Sequence, residues 1–532
     1  NSDSGPRNTR NTRKEGNPDY VFTAVCSQKS KPSSSACSEC SADQCRRCPF
    51  VVVESASHNT ARSRVFIRGQ GRSIRFSQAA PADLLEDNPE VRFSLSQVPI
   101  YNVAREHDPE VFERIQGLVE RGQWENVAAT WVEGDLNMAA GEAFARHVRY
   151  ASEWSERYFG RPSGVLWEPD TFGHPGNMPQ LANLAGCDVY FHWRCNPGGE
   201  DSYPVYYWEG VDGSRVLCVS SAYGGSLYPG SDRYFLMHNL SRYQAMGFKN
   251  AHFVWGSGNH GGGLARFQLE VFRRLQDRPL FPRFRFSTVQ EFVDAVTEED
   301  DRIPTFTGEN EPLFEGCFTT QAEIKRQNRR CENALLSAET ISALMEPYDR
   351  DRLREGWQGV LFNQFHDILD GAAVNEACAD AEDRYDRALG LASDVIDEAV
   401  GAPSGSGVLT AINTLDFPRN EIVVTDRLSK GAVGLKGEGG FLLPIQHLDG
   451  EARLKLPVVP GFSSRSWEIA DESPTRHAGR FRTVCDAGAP GIGAESERYC
   501  LHVVDSCAKD RQAAGPVVRD GRHGWGNCPD AA

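Results

Sequence analysis

The sequence predicts an α/β protein: a parallel (β/α) barrel-like domain, then a helical bundle, then the start of an all-β domain. Three observations carry this expectation. From about residue 81, short runs of strand formers alternate with helical stripes, the signature of βαβ units and a parallel sheet. Near residue 319 that alternation stops, and two long segments take up heptad-like spacing. Beyond the Pro/Gly/Ser stretch at 402–407 (APSGSG), strand-like runs return.

Taken in order, residues 1–75 are rich in Ser, Arg, Asn and Lys and sustain no period of 3.6 or 2, so they read as a low-pattern segment. The barrel-like domain is expected over 76–304. Asp108 and Pro109 supply an N-cap and a first-turn proline, Val111, Ile115 and Leu118 form the helical stripe, and Gly122 ends it. The run VAATWV at 127–132 predicts a strand, and 142–159 a helix closed by Gly160. Val165, Leu166 and Trp167 predict the next strand, followed by a short helix over 179–184 and a strand over 188–193. Residues 216–219 and 253–255 read as further strands. The bundle is expected over 305–401. One helix is capped at Thr319-Thr320 and carries Ile324, Cys331, Leu335 and Ala338. A second carries Val374, Ala381, Tyr385, Ala388, Ala392 and Val395. Strands at 408–410 and 421–424 open the β-domain over 408–470, and 471–532 is a low-pattern tail.

The chain has 532 residues, 40% of them hydrophobic, and a net charge of −16. That charge opposes nucleic-acid binding, which needs a basic surface to neutralise phosphates. No run of about 18 apolar residues exists, so no membrane span is expected. No apolar leader follows Asn1, which predicts a cytoplasmic location. The 15 cysteines are an odd number, against a complete disulfide framework. Cys37-x-x-Cys40 and Cys45-x-x-Cys48 stand too close together for the familiar zinc-ribbon or finger spacings.

Two segments carry chemistry. LWEPDTFGH (166–174) puts Asp170 just after a strand, where a parallel barrel opens its active-site mouth. A carboxylate there serves as nucleophile or metal ligand, or else caps the next helix. LFNQFHDILDG (361–371) embeds His366 and Asp367 among apolar residues, where an unpaired polar group is costly. That pair reads either as a core histidine satisfied by a carbonyl or as a metal ligand beside a sugar-binding carboxylate.

LWEPDTFGHPGNMPQ and NQFHDIL resemble the two best-marked motifs of the family 38 glycoside hydrolases, the retaining α-mannosidases. QWENVAATWVEGDLN (123–137), WEGVDGSRVL (208–217), FVWGSGNHGGG (253–263) and EGCFTTQAEIKRQNRRCENAL (315–335) agree with it in family order. The resemblance implies that Asp170 is the catalytic nucleophile and that Asp170 and His366 each give one ligand to a Zn2+ ion. It also implies that Asp367 binds sugar hydroxyls and that the partner is a mannose-containing glycan. The family's acid/base lies in the loop similar to GSGNHGGG, where Asn259 and His260 stand here; both are substrate-loop candidates.

The chain departs from the family at its first strand. There the family carries a His-x-Asp pair that supplies two of four protein zinc ligands. Residues 50–80 contain His58, but no Asp follows at the required spacing. The loss of pattern at both ends predicts a truncated or mis-read gene product. The alternative function is therefore a carbohydrate-binding pseudoenzyme with an incomplete zinc site. A metal-dependent polysaccharide deacetylase is a third reading, but NQFHDIL and the helical bundle do not belong to it.

Overall fold

The computed structural model describes residues 49–54, 73–197, 203–220, 232–256, 265–276, 282–310, 313–345, 348–400, 407–425, 428–437, 440, 442–448, 450–470 and 502–505. In the first region the strands are β1 (Pro49–Glu54), β2 (Phe93–Leu95), β3 (Trp124–Asn126), β4 (Val165–Glu168), β5 (Val189–His192), β6 (Val205–Glu209), β7 (Arg215–Ser220), β8 (Ala251–Trp255), β9 (Arg283–Phe286) and β10 (Thr305–Thr307). Most of the connections between them carry helices, among them Pro109–Glu120, Gly141–Phe159 and Met178–Leu184. Local chemistry explains several boundaries. The Asp108 side chain accepts from the Val111 amide and Pro109 opens the first helix, burying Val111, Phe112, Ile115 and Leu118. Gly160, in the left-handed region at φ 76°, closes Gly141–Phe159.

The hydrogen-bonded ladders of the described residues do not show the expected parallel barrel. Among the described residues they form separate sheets rather than one closed ring: β8–β1–β9, β2–β3 and β10–β6–β7–β5–β4. The first two are parallel throughout, as are β4–β5, β5–β7 and β10–β6, but β6 and β7 run antiparallel. The reason is local. A tight turn with Gly213 at φ 82° joins β6 to β7 as a hairpin, whereas ring closure needs a staggered ladder on both edges of every strand. The chain here is mixed α/β. PFVVVE of β1, inside the stretch read as patternless, pairs with β8 on one side and β9 on the other.

VAATWV is a correction. The strand is Trp124–Asn126, and 127–132 contributes only a bridge from Ala128 to Leu166. All six of those residues are buried, and an apolar run buried on every side does not reveal its backbone by periodicity.

The second region is helical: Ala322–Met345, Arg350–Asn363, the single turn His366–Leu369, and Asn375–Val400. The long first and last helices fall where the heptad spacing placed them. The helix Arg350–Asn363 is additional. It contains Gly356 and Gly359, which weaken helical propensity, yet Gly356 allows close packing: a Cβ there would lie 2.7 Å from Leu335 Cδ2. An antiparallel sheet follows, built from strands between Val408 and Asp505. Its apolar centre includes Leu409, Ala411, Leu454 and Trp467. All described residues fall within the unit Arg47–Ala532. No described helix is long and apolar enough to cross a membrane.

Candidate active site

Asp170 stands two residues beyond the C-terminal end of β4, and its residue exposure is 7%. β4 is packed on both faces. Trp167 stacks on Phe191 with centroids 3.8 Å apart, while Leu166 joins a separate cluster with Phe144 and Met178. The strand end is thereby fixed in height and rotation. Thr171 adds a hydrogen bond of 3.0 Å to Glu168 Oε2.

His366 opens the turn His366–Leu369 and is fully buried. Its Nδ1 lies 2.9 Å from the Glu133 carbonyl oxygen, and its backbone N–H donates to the same oxygen at 3.2 Å. A carbonyl only accepts, so Nδ1 carries a proton and Nε2 is the nitrogen turned toward the carboxylates. Nε2 lies 3.9 Å from Asp170 Oδ2 and 3.9 Å from Asp367 Oδ1. The carbonyl partner expected of a core histidine and the orientation needed by a metal ligand are both present. Asp367 has a side chain 41% exposed, so it faces the opening rather than the core. Asp170, His366 and Asp367 are thus gathered in one place. Asn259 and His260 lie outside the described residues, as do His58 and the four clustered cysteines Cys37, Cys40, Cys45 and Cys48.

Arg194 completes this wall and is absent from the set read from sequence. Its Nε donates to Asp170 Oδ1, and its guanidinium carbon lies 5.8 Å from the Phe172 ring centroid and 5.3 Å from that of Phe314. The backbone of Arg194 is clamped. Its carbonyl oxygen receives His192 Nδ1 at 3.0 Å and His174 Nε2 at 3.3 Å. Both nitrogens facing that oxygen must carry hydrogen. Burial pushes His174 well below the usual histidine range and His192 down to about 4, so both rings are neutral at pH 7. Their other nitrogens accept, each from a tyrosine hydroxyl at 2.7 Å: Tyr190 for His174 and Tyr206 for His192. Asn310 Nδ2 donates to Tyr206 at 3.1 Å, which leaves the tyrosine proton for His192. The available signal was positional: Arg194 follows a strand end, as Asp170 does.

Glu133, whose carbonyl holds His366, is itself fully buried, and its side chain accepts from the Ser96 hydroxyl. Burial, reinforced by the charges of Glu168, Asp170 and Asp367, raises its carboxyl well above the usual range. Asp370 is raised to about 6, mainly by burial, with Asp367 adding to the effect.

The donor set does not by itself make a zinc centre. Asp170 and His366 supply two suitable donors, and the second is correctly oriented. A catalytic zinc normally takes three from the protein. Among the described residues no group of three or more His, Cys, Asp and Glu could hold a metal ion. The nearest cation on Asp170 is the Arg194 guanidinium.

A buried strand-end carboxylate faces an oriented imidazole, in a mixed α/β domain that leads into helices and then an antiparallel sheet. Glycoside-cleaving enzymes work with paired acidic groups, and Asp170 and Asp367 both stand within 3.9 Å of His366 Nε2 here. Residues 72–309 match the glycosyl hydrolases family 38 N-terminal domain, and residues 312–402 match the alpha mannosidase middle domain. The chain belongs to this family of glycoside hydrolases. It is 30% identical over 374 residues to human "Alpha-mannosidase 2C1", a match covering 66% of this chain and 35% of that protein. It is 30% identical over 330 residues to the Saccharomyces cerevisiae "Alpha-mannosidase", covering 57% and 30%. The chain thus spans about a third of the length of these curated relatives. Its fold is similar to the crystal structure of an alpha-mannosidase from Enterococcus faecalis V583, with a TM-score of 0.65 at 17% identity over 79% of this chain and 56% of that one.

Proposed function

We propose that the chain carries the catalytic scaffold of a retaining α-mannosidase acting on terminal α-linked mannose of glycans. One observation carries the reading. Two motifs far apart in sequence bring Asp170 and His366 within 3.9 Å of each other, beside a half-exposed carboxylate.

Asp170 attacks the anomeric carbon as the glycosidic bond breaks, giving a covalent glycosyl-enzyme. Water then cleaves that ester, and the two inversions sum to retention. Arg194 orients the Asp170 carboxylate and keeps a positive charge beside it. Asp367 takes hydrogen bonds from sugar hydroxyls, and Phe172 gives the pocket an apolar wall next to His366. Asn259 and His260 are the candidates in the loop expected to hold the proton donor. Family 38 enzymes are generally zinc-dependent, and Asp170 and His366 are the donors this chain would offer such an ion. No step here runs through it.

The second reading, a carbohydrate-binding pseudoenzyme, is favoured by the guanidinium on Asp170. Purified protein, with its bound zinc measured, would be given a chromogenic aryl α-mannoside. Release of the aglycone by the native chain but not by Asp170→Asn is expected. Mannose binding with no turnover above the Asp170→Asn background overturns the enzyme reading in favour of the pseudoenzyme.

A further inference from the structure

A chamber of about 190 Å³ is lined mainly from the helices Gly141–Phe159, Ala322–Met345 and Arg350–Asn363, and it shares no residue with the site around Asp170. Its wall is positive in a chain whose net charge is −16. Four guanidinium groups line it, from Arg146, Arg149, Arg350 and Arg354, against a single carboxylate, Glu339. Two phenols, Tyr150 and Tyr348, complete it.

The groups on the wall are not equally committed. Glu339 accepts from Arg146 Nη1 at 2.6 Å and from the Tyr348 hydroxyl at 3.4 Å. Arg146 also donates to Glu142 Oε1 at 2.7 Å and to the Tyr150 hydroxyl, so it brings charge rather than spare donors. The other three arginines share one anion. Arg149 Nε donates to Glu153 Oε1 at 2.9 Å and Arg354 Nη1 to Oε2 at 2.6 Å, whereas Arg350 Nη2 stands 4.0 Å from Oε2, beyond hydrogen-bond distance. Burial works to raise the Glu153 carboxyl, but the hydrogen bonds from Arg149 and Arg354 hold it below the usual range, so it is ionised. Glu153 and Asp351 line a neighbouring groove of about 750 Å³ and not the chamber.

A guanidinium carries five N–H donors. Arg149 and Arg354 each give one to Glu153, and among the described residues Arg350 gives none within hydrogen-bond distance. The side chains of Arg149 and Arg350 are exposed, while Arg354 is held with its guanidinium carbon 4.5 Å from the Tyr150 ring centroid. Three cations around one carboxylate repel one another, and the Arg146 charge works against that of Arg149 as well. An oxyanion in the chamber relieves that repulsion and takes the spare donors in pairs.

We propose that this chamber binds the phosphoryl group of a small phosphate, either inorganic phosphate or a phosphate monoester, through the spare guanidinium donors of Arg149, Arg350 and Arg354. Three donor forks suit a group with three acceptor oxygens and about two negative charges better than a carboxylate with two oxygens and one charge. Arg350 and Arg354 line both the chamber and the wider groove, where the amides of Asn102 and Gln358 and the ring of Tyr158 stand ready for the rest of an ester. The site does not depend on the mannosidase reading.

The test is calorimetry on the full chain in phosphate-free buffer at fixed ionic strength. Inorganic phosphate, glycerol 3-phosphate and acetate are titrated separately into the native chain, Arg149→Gln, Arg350→Gln and Arg194→Met. The expected result is saturable binding of both phosphates, weakened about tenfold in Arg149→Gln and in Arg350→Gln and unchanged in Arg194→Met. Tighter binding of glycerol 3-phosphate supports the site with the ester as its ligand, and equal affinity supports it with free phosphate. Acetate bound as tightly as phosphate would show that the chamber reads charge alone and overturn the phosphoryl assignment. Phosphate binding lost in Arg194→Met but kept in both other variants would put the anion beside Asp170 and overturn the site. So would the absence of saturation at millimolar phosphate. Arg149 and Arg350 are exposed, and a melting curve of each variant checks that the fold is kept.

Discussion

Asp170 and His366 reach the same pocket by opposite means. Asp170 sits on a strand end and is held by side chains: Arg194 grips the carboxylate, and two imidazoles, each bonded to a tyrosine hydroxyl, donate to the Arg194 carbonyl oxygen. His366 sits on a helical turn and is held mainly through backbone, with its amide and its ring both bonded to one carbonyl. The Gly134–Phe365 bridge and the Asp135 amide bonded to the Gln364 carbonyl tie that turn to the α/β region. A wall built from side chains can be dismantled by single substitutions. A wall built from backbone yields chiefly to changes that move the chain.

The largest expected effect is on the first wall. Asp170→Asn should lower kcat on an aryl α-mannoside by about 10⁴-fold, since it removes the nucleophile. Substantial residual turnover would mean the strand-end wall is not the reacting one.

Arg194→Met comes next. It keeps the length of the side chain but removes the charged donor from Asp170, and kcat/KM should fall about 10²-fold. An equal fall in Tyr206→Phe, which cuts only the outer link of the clamp, would show that the network acts as one rigid unit rather than through its guanidinium.

The second wall should respond to the backbone. Gly371 follows the His366 turn at φ 81°, and a Cβ there would lie 2.6 Å from the Thr320 carbonyl oxygen and 2.8 Å from Gln321 Cβ. Gly371→Ala should cost about 1–3 kcal/mol, seen as a lower denaturant midpoint, and reduce activity with it. Full activity in that variant would break the contrast between the two walls.

The smallest effect concerns Asp370. Burial raises its folded pKa to about 6, above the ordinary value near 4. Between about pH 4 and pH 6 the folded protein keeps a proton that the unfolded chain releases, so this group's contribution to stability falls as pH rises through that window. Asp370→Asn stays neutral throughout. It should melt higher than the native chain at pH 7.5 and lose that advantage at pH 4.5. The opposite trend would mean that Asp370 is ionised and favourably paired in the folded state.

Much of the scaffold was legible because its signals are local. A proline, a cap and a stripe announce the helix Pro109–Glu120, and heptad spacing announces the helices Ala322–Met345 and Asn375–Val400. VAATWV failed because a run buried on all sides carries no period. Arg350–Asn363 was missed because its glycines weaken the helical signal, and only packing against Leu335 shows why Gly356 is there. The separate sheets were equally hidden. Alternating strands and helices give the layers, but not which strand edges meet.

The site divides along the same line. Asp170, His366 and Asp367 could be named from sequence because polar residues inside apolar flanks stand out, and because their segments resemble a known family. Arg194 and Glu133 could not, because each matters only through a neighbour distant in the chain. Sequence alone determined which groups are present and which segments position them. The tertiary structure decided their states: which imidazole nitrogen carries a proton, which carboxyl is raised above its usual range, and which cation lies on Asp170. Those depend on burial and on hydrogen bonds between distant segments, and they exist only once the chain has closed around them.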